Sequence, residues 1–227
     1  MCGRFTLATP DQDLVVQFNL PEIPDLKPRY NIAPTQPVAV VRVSAEGSGR
    51  ELVMVHWGLI PFWAGDPSIG SRMINARAET AAEKPAFRAA FRRRRCLVPA
   101  DGFYEWQKQN GSKQPYYIRM ADGRPFAFAS LWERWKAPDD TIIDSCTLLT
   151  TGPNELIRPL HNRMPVILDP WDYALWLDPA VEDVRVLNPL LRPYTPDAME
   201  AYPVSRWVNK PDHEGPACIE PLDQEAS

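Results

Sequence analysis

The sequence is poor in the residues that bind metals or form crosslinks. Of 227 residues, four are cysteine (2, 96, 146 and 218) and three are histidine (56, 161 and 213). The cysteines lie far apart and form no CxxC pair, which argues against a zinc site or a disulfide framework and fits a reducing compartment. A multi-histidine metal centre would need most of the histidines, so neither metal nor cofactor is expected. No stretch approaches the apolar length of a membrane helix, and the first residues lack the hydrophobic core of a signal peptide. A cytoplasmic, nucleoid-associated monomer without a membrane partner is the expectation. Charge of one sign is lacking too. With 25 basic and 29 acidic residues the net charge is −4, which speaks against a bulk nucleic-acid binder but leaves room for a local basic cleft.

Proline, by contrast, is abundant: 25 of 227 residues, about twice the usual ~5%. That predicts many short strands and ordered turns rather than long helices. Residues 37–43 (PVAVVRV) and 51–60 (ELVMVHWGLI) read as a hairpin around a turn at 46–49. His56 reads as a packed or surface strand histidine. Further strands are predicted at 96–100, 102–106, 116–120, 126–132, 142–151 and 164–168. Thr9 and Gln12, and Thr80 and Glu83, have the spacing of helix capping boxes. They predict a short helix after Thr9 and another from Thr80 to about Arg94, with Phe87 and Phe91 facing inward. The four arginines 92–95 read as a solvated helix end. Shorter helices are predicted at 154–160, 169–177, 181–190 and 195–201. Residues 61–74 form a loop with exposed-looking aromatics. The strands occur as hairpins rather than βαβ units, without repeat or linker. The expected fold class is therefore α+β: a single domain over 2–218 with a largely antiparallel, curled, barrel-like β-sheet and short peripheral helices. A disordered tail is expected at 219–227.

The chain opens Met1-Cys2-Gly3-Arg4-Phe5. The small Cys2 side chain permits removal of Met1, which leaves a 1,2-aminothiol. Its amine titrates near ~8 and its thiol near ~8.5, so neither reactive form is rare at neutral pH. The thiol can attack a carbonyl with the amine as base. Alternatively, the amine can condense with an aldehyde while the thiol closes a five-membered thiazolidine. Taken alone, Cys2 reads as an untied terminus.

Four internal segments carry more polar groups than packing needs: Arg29-Tyr30-Asn31-Ile32-Ala33-Pro34, Ile74-Asn75-Ala76-Arg77-Ala78-Glu79-Thr80, Val98-Pro99-Ala100-Asp101-Gly102-Phe103-Tyr104-Glu105-Trp106, and His161-Asn162-Arg163-Met164-Pro165. Together with the opening pentapeptide, and in this order, they resemble the SOS response-associated peptidase (SRAP) family, whose members shield abasic sites in single-stranded DNA by covalent attachment. The resemblance runs from Cys2 to at least Arg206. It implies a Schiff base between the Cys2 α-amine and C1′ of the ring-opened sugar, closed by the thiol to a thiazolidine that protects the strand. It also implies autoproteolytic removal of Met1 and leaves lyase activity open. Asn75 would hydrogen-bond the linkage or opened sugar, Glu105 would orient the amine and move protons, and His161 would serve as acid–base on the sugar ring. Arg4, Arg77 and Arg163 would hold flanking phosphates. Trp63 would stack or wedge against a base, with Phe62-Trp63-Ala64 where some relatives carry two adjacent tryptophans. Thr150 would fall near the site. The partner implied is single-stranded DNA containing abasic sites.

Taken singly, these residues have plainer roles: Asn75 as a turn or cap residue, Glu105 as a surface strand carboxylate, His161 at a helix C-terminus, Thr150 as a strand threonine. The rival enzyme class is a class II glutamine amidotransferase, which also begins Met-Cys-Gly and uses Cys2 as nucleophile. The internal segments expected for binding glutamine are missing here. A binding module without chemistry is a further alternative and would be indifferent to Cys2.

Overall fold

The computed structural model describes residues 2–22, 25–44, 49–109 and 111–222. Among these, the strands in chain order are β1 (Phe5–Leu7), β2 (Arg29–Ile32), β3 (Pro37–Val43), β4 (Arg50–Trp57), β5 (Asn75–Arg77), β6 (Arg95–Ala100), β7 (Gly102–Gln109), β8 (Ser112–Met120), β9 (Phe126–Lys136), β10 (Ile142–Thr151), β11 (Met164–Pro165), β12 (Ile167–Leu168) and β13 (Met199–Pro203). The run of β-branched residues in β3 pairs with β4 as an antiparallel hairpin, Val40 opposite Val53. The expected turn at 46–49 lies, except for Gly49, outside the described residues. From this hairpin the pairing continues around a ring. β3 meets β6, β6 meets β9, β9 meets β10, and β10 returns to β4 in parallel, with Ser145 opposite His56. Five strands thus close into a barrel, which leaves no free edge between them. Its strands are covered on both faces: Val40, Val98, Phe128 and Leu148 share one face and Leu97, Ala129 and Leu131 the other, and all are fully buried.

A second antiparallel sheet, in the order β13-β8-β7-β1-β2, stands against the barrel. The chain passes from one to the other at Asp101, between β6 and β7. Phe5 of β1 joins the two layers, its ring meeting Trp57 at 5.2 Å and Phe128 at 5.7 Å between centroids, both edge-on. Burying such a side chain is worth about 2–3 kcal/mol. Gly102 allows the sheet to close over its neighbour: a Cβ there would lie 2.4 Å from the Tyr117 ring. The fold is α+β and largely antiparallel, with a barrel and short helices, as expected.

Several local expectations are corrected. Thr9 does not cap a helix. Its hydroxyl and amide donate to Asp101, and the helix Asp11–Phe18 starts after Pro10 without a side-chain cap. The helix expected from Thr80 to Arg94 is two pieces, Ala78–Ala81 and Arg88–Arg93. Pro85 between them lacks the N–H that a continuous helix would need. Phe91 is buried and Phe87 packs partly against the core. Arg92 and Arg93 are solvated, but Arg95 is buried. Its guanidinium donates to the carbonyls of Trp176 (2.6 Å), Phe91 (2.8 Å), Arg92 and Asp178, satisfying two helix ends at once. Arg94 pairs with the buried Glu133 at 2.6 Å. Residues 154–160 are turns rather than a helix. In the 195–201 stretch, a short 3-10 turn (Pro196–Ala198) gives way to β13, which lines up with β8. Of residues 219–227, the last five lie outside the described residues. The Leu222 amide donates to the Pro203 carbonyl at 2.9 Å, and Pro221 bridges Val204. Among the described residues no helix is long and apolar enough to cross a membrane.

Candidate active site at the amino-terminal strand

Cys2 is fully buried. The register Phe5↔Phe103 and Thr6↔Gly102 fixes β1 against β7, and the Tyr104 amide donating to the Arg4 carbonyl at 3.0 Å carries the pairing outward. One step further, Gly3 falls opposite Glu105. Side chains alternate along β7. Tyr104 and Trp106 face the small cluster with Tyr117, Val204 and Val208, while Phe103 turns to Phe128 and the main core. Glu105 shares the face of Phe103, which makes it a buried carboxylate beside the amino-terminal arm rather than a surface one. From the other side, β5 runs parallel to β10, with Asn75 opposite Leu148. The Asn75 amide donates to the Cys2 carbonyl at 2.7 Å. Asn75 Oδ1 is buried without a hydrogen-bond partner among the described residues.

The electrostatics of these groups are unusual for a structural site. Burial pushes the Glu105 carboxyl up to about 7. Burial, followed by the nearby Glu105 charge, raises the Cys2 thiol far above its ordinary value, and its S–H reaches the Arg4 carbonyl at 3.8 Å. The thiol is therefore held as S–H at neutral pH. His161 lies in a groove of about 400 Å³ whose walls include Trp106, Gln107 and Lys108 of β7. Burial lowers its pKa, so the ring is neutral at pH 7. The Arg163 amide donates to Nδ1 at 3.0 Å.

The residues expected on DNA divide into two groups. Trp63 and Phe62 are exposed at the turn after Pro61, and the Trp135 indole holds that loop through the Ala64 carbonyl at 2.7 Å. Trp63, Asn75 and Arg77 share a largely apolar groove of about 460 Å³ with Met73, Lys84 and Phe87. Arg77 is exposed, and its guanidinium makes no hydrogen bond or ion pair among the described residues. Arg4 and Arg163, by contrast, turn inward. The Arg4 guanidinium donates to Asn31 Oδ1 (2.6 Å) and the Val208 carbonyl (2.8 Å) and lies over the Trp106 ring. Arg163 forms a bidentate pair with Glu79. Thr150 is buried, its hydroxyl donating to the Ala76 carbonyl at 3.3 Å, which ties β10 to the strand of Asn75.

Two residues in the polar segments, Asn31 and Glu79, have roles that the sequence does not reveal. Asn31 is fully buried and donates to the carbonyls of Lys210 (2.9 Å) and His213 (2.7 Å). Glu79 holds Arg163. Only the partners, distant in sequence, reveal either. No group of three or more His, Cys, Asp or Glu side chains comes together as a metal site among the described residues.

Known proteins resemble this chain in sequence and in architecture. A protein of Bacillus subtilis (strain 168) named abasic site processing protein YoqW is 45% identical over 224 residues, spanning 97% of this chain and 99% of its own. The abasic site processing protein HMCES of Xenopus tropicalis is 32% identical over 227 residues, spanning 85% of this chain and 66% of that longer one. A crystal structure of a protein from Bacteroides thetaiotaomicron superposes with a TM-score of 0.87 at 26% identity, covering 97% of this chain and all of the other. Residues 1–211 match the sequence profile described as SOS response associated peptidase (SRAP). With that match and that relative at 45% identity, the chain belongs to the SRAP family.

Proposed function

We propose that this protein processes abasic sites in single-stranded DNA, attaching itself covalently through Cys2 once Met1 has been removed. The observation that carries this reading is the company Cys2 keeps: the Asn75 amide on its carbonyl and, beside its thiol, a carboxyl that titrates at about 7. The names of the relatives point the same way.

The chemistry follows from these groups. A ring-opened abasic sugar presents an aldehyde at C1′. The free Cys2 amine adds to it, a proton moves from nitrogen to oxygen, and water leaves to give the imine. Glu105, half-ionised near neutrality, takes and returns those protons. The thiol then adds to C1′. The C–S bond forms as the S–H proton passes by way of Glu105 to nitrogen, so no free thiolate is needed. The product is a thiazolidine with the net loss of one water. It removes the iminium that would drive loss of the 3′ phosphate. His161, neutral at pH 7, acts as acid–base on the sugar as it opens. Arg77 meets a flanking phosphate and Trp63 stacks on a base. Arg4 contributes charge near the DNA while its fork is held within the protein, whereas the charge of Arg163 is offset by Glu79 unless a phosphate displaces that carboxylate.

The same features weigh against the amidotransferase alternative. A cysteine nucleophile of that kind needs a depressed pKa and an electropositive, partly open setting, whereas burial and a carboxylate act on Cys2 in the opposite sense.

Intact-mass spectrometry before and after adding abasic single-stranded DNA tests the proposal. The expected result is loss of the Met1 mass, then an adduct equal to protein plus DNA less one water. Cys2→Ala should abolish the heat-stable adduct, and an adduct surviving that change undiminished would sink the mechanism. If Glu105→Ala still loses Met1, a separate aminopeptidase performs the maturation.

A further inference from the structure

Arg163 does two things at once. Its guanidinium is gripped by Glu79 through two parallel hydrogen bonds, Nη1 to Oε1 at 2.6 Å and Nη2 to Oε2 at 2.8 Å. Nη2 also donates to the Thr150 carbonyl. Its main-chain N–H, meanwhile, donates to His161 Nδ1 at 3.0 Å. One residue is thus anchored by its side chain and anchors a histidine by its backbone. Nδ1 also lies 3.3 Å from the Arg163 carbonyl, so the setting of that backbone decides the tautomer: accepting from the nearer N–H leaves the ring proton on Nε2, whereas donating to the carbonyl would put it on Nδ1.

The 161–163 stretch is neither helix nor strand, so its amide depends on contacts from elsewhere to keep its direction. Glu79 supplies them. It stands two residues past the end of β5, the strand of Asn75, and 84 positions from Arg163. Bidentate geometry fixes the guanidinium plane as well as its position. Thr150 completes the hold, since its carbonyl takes Arg163 and its hydroxyl takes Ala76. The strand that carries Asn75 and the turn that carries His161 are thereby locked to one another.

We propose that Glu79 is a positioning residue for the reaction: its grip on the Arg163 side chain holds the Arg163 amide against Nδ1 of His161 and so decides which ring nitrogen faces the sugar with a proton. The inference rests on the reading of His161 as the acid–base on the sugar. Glu79 acts through two intervening residues and need not touch the DNA. The competing account is electrostatic, with Glu79 merely occupying the fork of Arg163 as a stand-in for a phosphate.

Glu79→Gln, Glu79→Ala and Glu79→Asp separate the two. The His161 imidazole is followed by nitrogen NMR in DNA-free protein, and the adduct by single-turnover kinetics at saturating abasic single-stranded DNA. With positioning by Glu79, the Gln and Ala proteins show mixed His161 tautomers. Their adduct rate falls about tenfold, a fraction of what an acid–base group typically contributes, and Asp restores part of both. Wild-type His161 signals in the Gln and Ala proteins overturn the proposal. So does an unchanged rate with tighter, more salt-sensitive DNA binding. Because the tautomer is read without DNA, it decides on Glu79 even if the wild-type protein forms no adduct.

Discussion

Two carboxylates, Asp144 on the barrel and Glu105 at the seam between the sheets, show how one functional group serves opposite ends. Asp144 accepts from Arg134 at 2.7 and 2.8 Å and from Arg42 at 3.0 Å, and Arg42 in turn lies over the Trp132 ring at 4.1 Å. Hydrogen bonds from Arg134, then from Arg42, hold its pKa below the ordinary value. Glu105 is more deeply buried, and there burial outweighs everything that favours its charge, so it titrates at about 7. The barrel carboxylate is committed to one protonation state and strengthens the fold. The seam carboxylate can change state near neutrality, which is the property a proton carrier needs.

The sharpest way to test that contrast is Glu105→Gln. It should lower adduct formation by about 100-fold or more while stabilising the protein. The sign follows from the raised pKa. Between pH 4.5 and about 7 the folded state binds more protons than the unfolded one, so wild-type stability declines over that window. The penalty is absent below it and complete above it. Removing the charge should therefore gain about 3 kcal/mol at pH 8. Urea unfolding curves of the two proteins should coincide near pH 4 and separate by pH 8; coincidence at both would mean that burial does not strain Glu105.

Asp144→Asn should do the reverse. A depressed pKa contributes stability that is present above the unfolded value of 3.8 and lost as pH falls through the folded one. A loss of about 1–2 kcal/mol at pH 7, the low end for hydrogen bonds to charged groups because Arg134 is solvated and screened, should shrink in acid, with adduct formation intact. A drop in adduct yield at unchanged folding would erase the division between barrel and seam. The smallest effect belongs to Arg77→Ala. Losing one phosphate contact should flatten the logarithmic salt dependence of single-strand binding by about 0.7. An unchanged slope would take Arg77 off the DNA path.

Much of this organisation is legible from local chemistry. The β3–β4 hairpin announces itself by β-branched residues on both sides of a turn, and β7 by the Asp101-Gly102 corner before it. Closure of the barrel is not legible, because the parallel pairing of Ser145 with His56 joins residues with no shared local signature. Pro85 was visible in the expected helix at 80–94, and its missing N–H outweighed the apolar spacing of Phe87 and Phe91. β13 reads as a helix in the sequence, because a strand pairing at a sheet edge depends on β8, about 80 residues earlier. Cys2, Asn75 and Glu105 could each be named in the sequence, and the fold brings them together. The arginines could be named but not sorted. Whether a guanidinium meets solvent, as Arg77 does, or a carboxylate of the protein itself, as Arg163 does, depends on partners such as Glu79 that no spacing identifies. Arg95 is the extreme case: the last of four consecutive arginines, it alone is buried.

The hold on Arg4 also sets an order of events during synthesis. Its partners are Asn31 and the carbonyl of Val208, and Asn31 in turn grips Lys210 and His213. The arm that carries Cys2 is therefore made long before the residues that secure it. At roughly 5–20 residues per second, Cys2 spends many seconds on a tethered, unfinished chain before the segment that fastens its arm has been made. In that interval the amino-terminal arm is open to processing enzymes, and it closes into the protein only once residues 208–213 have been made.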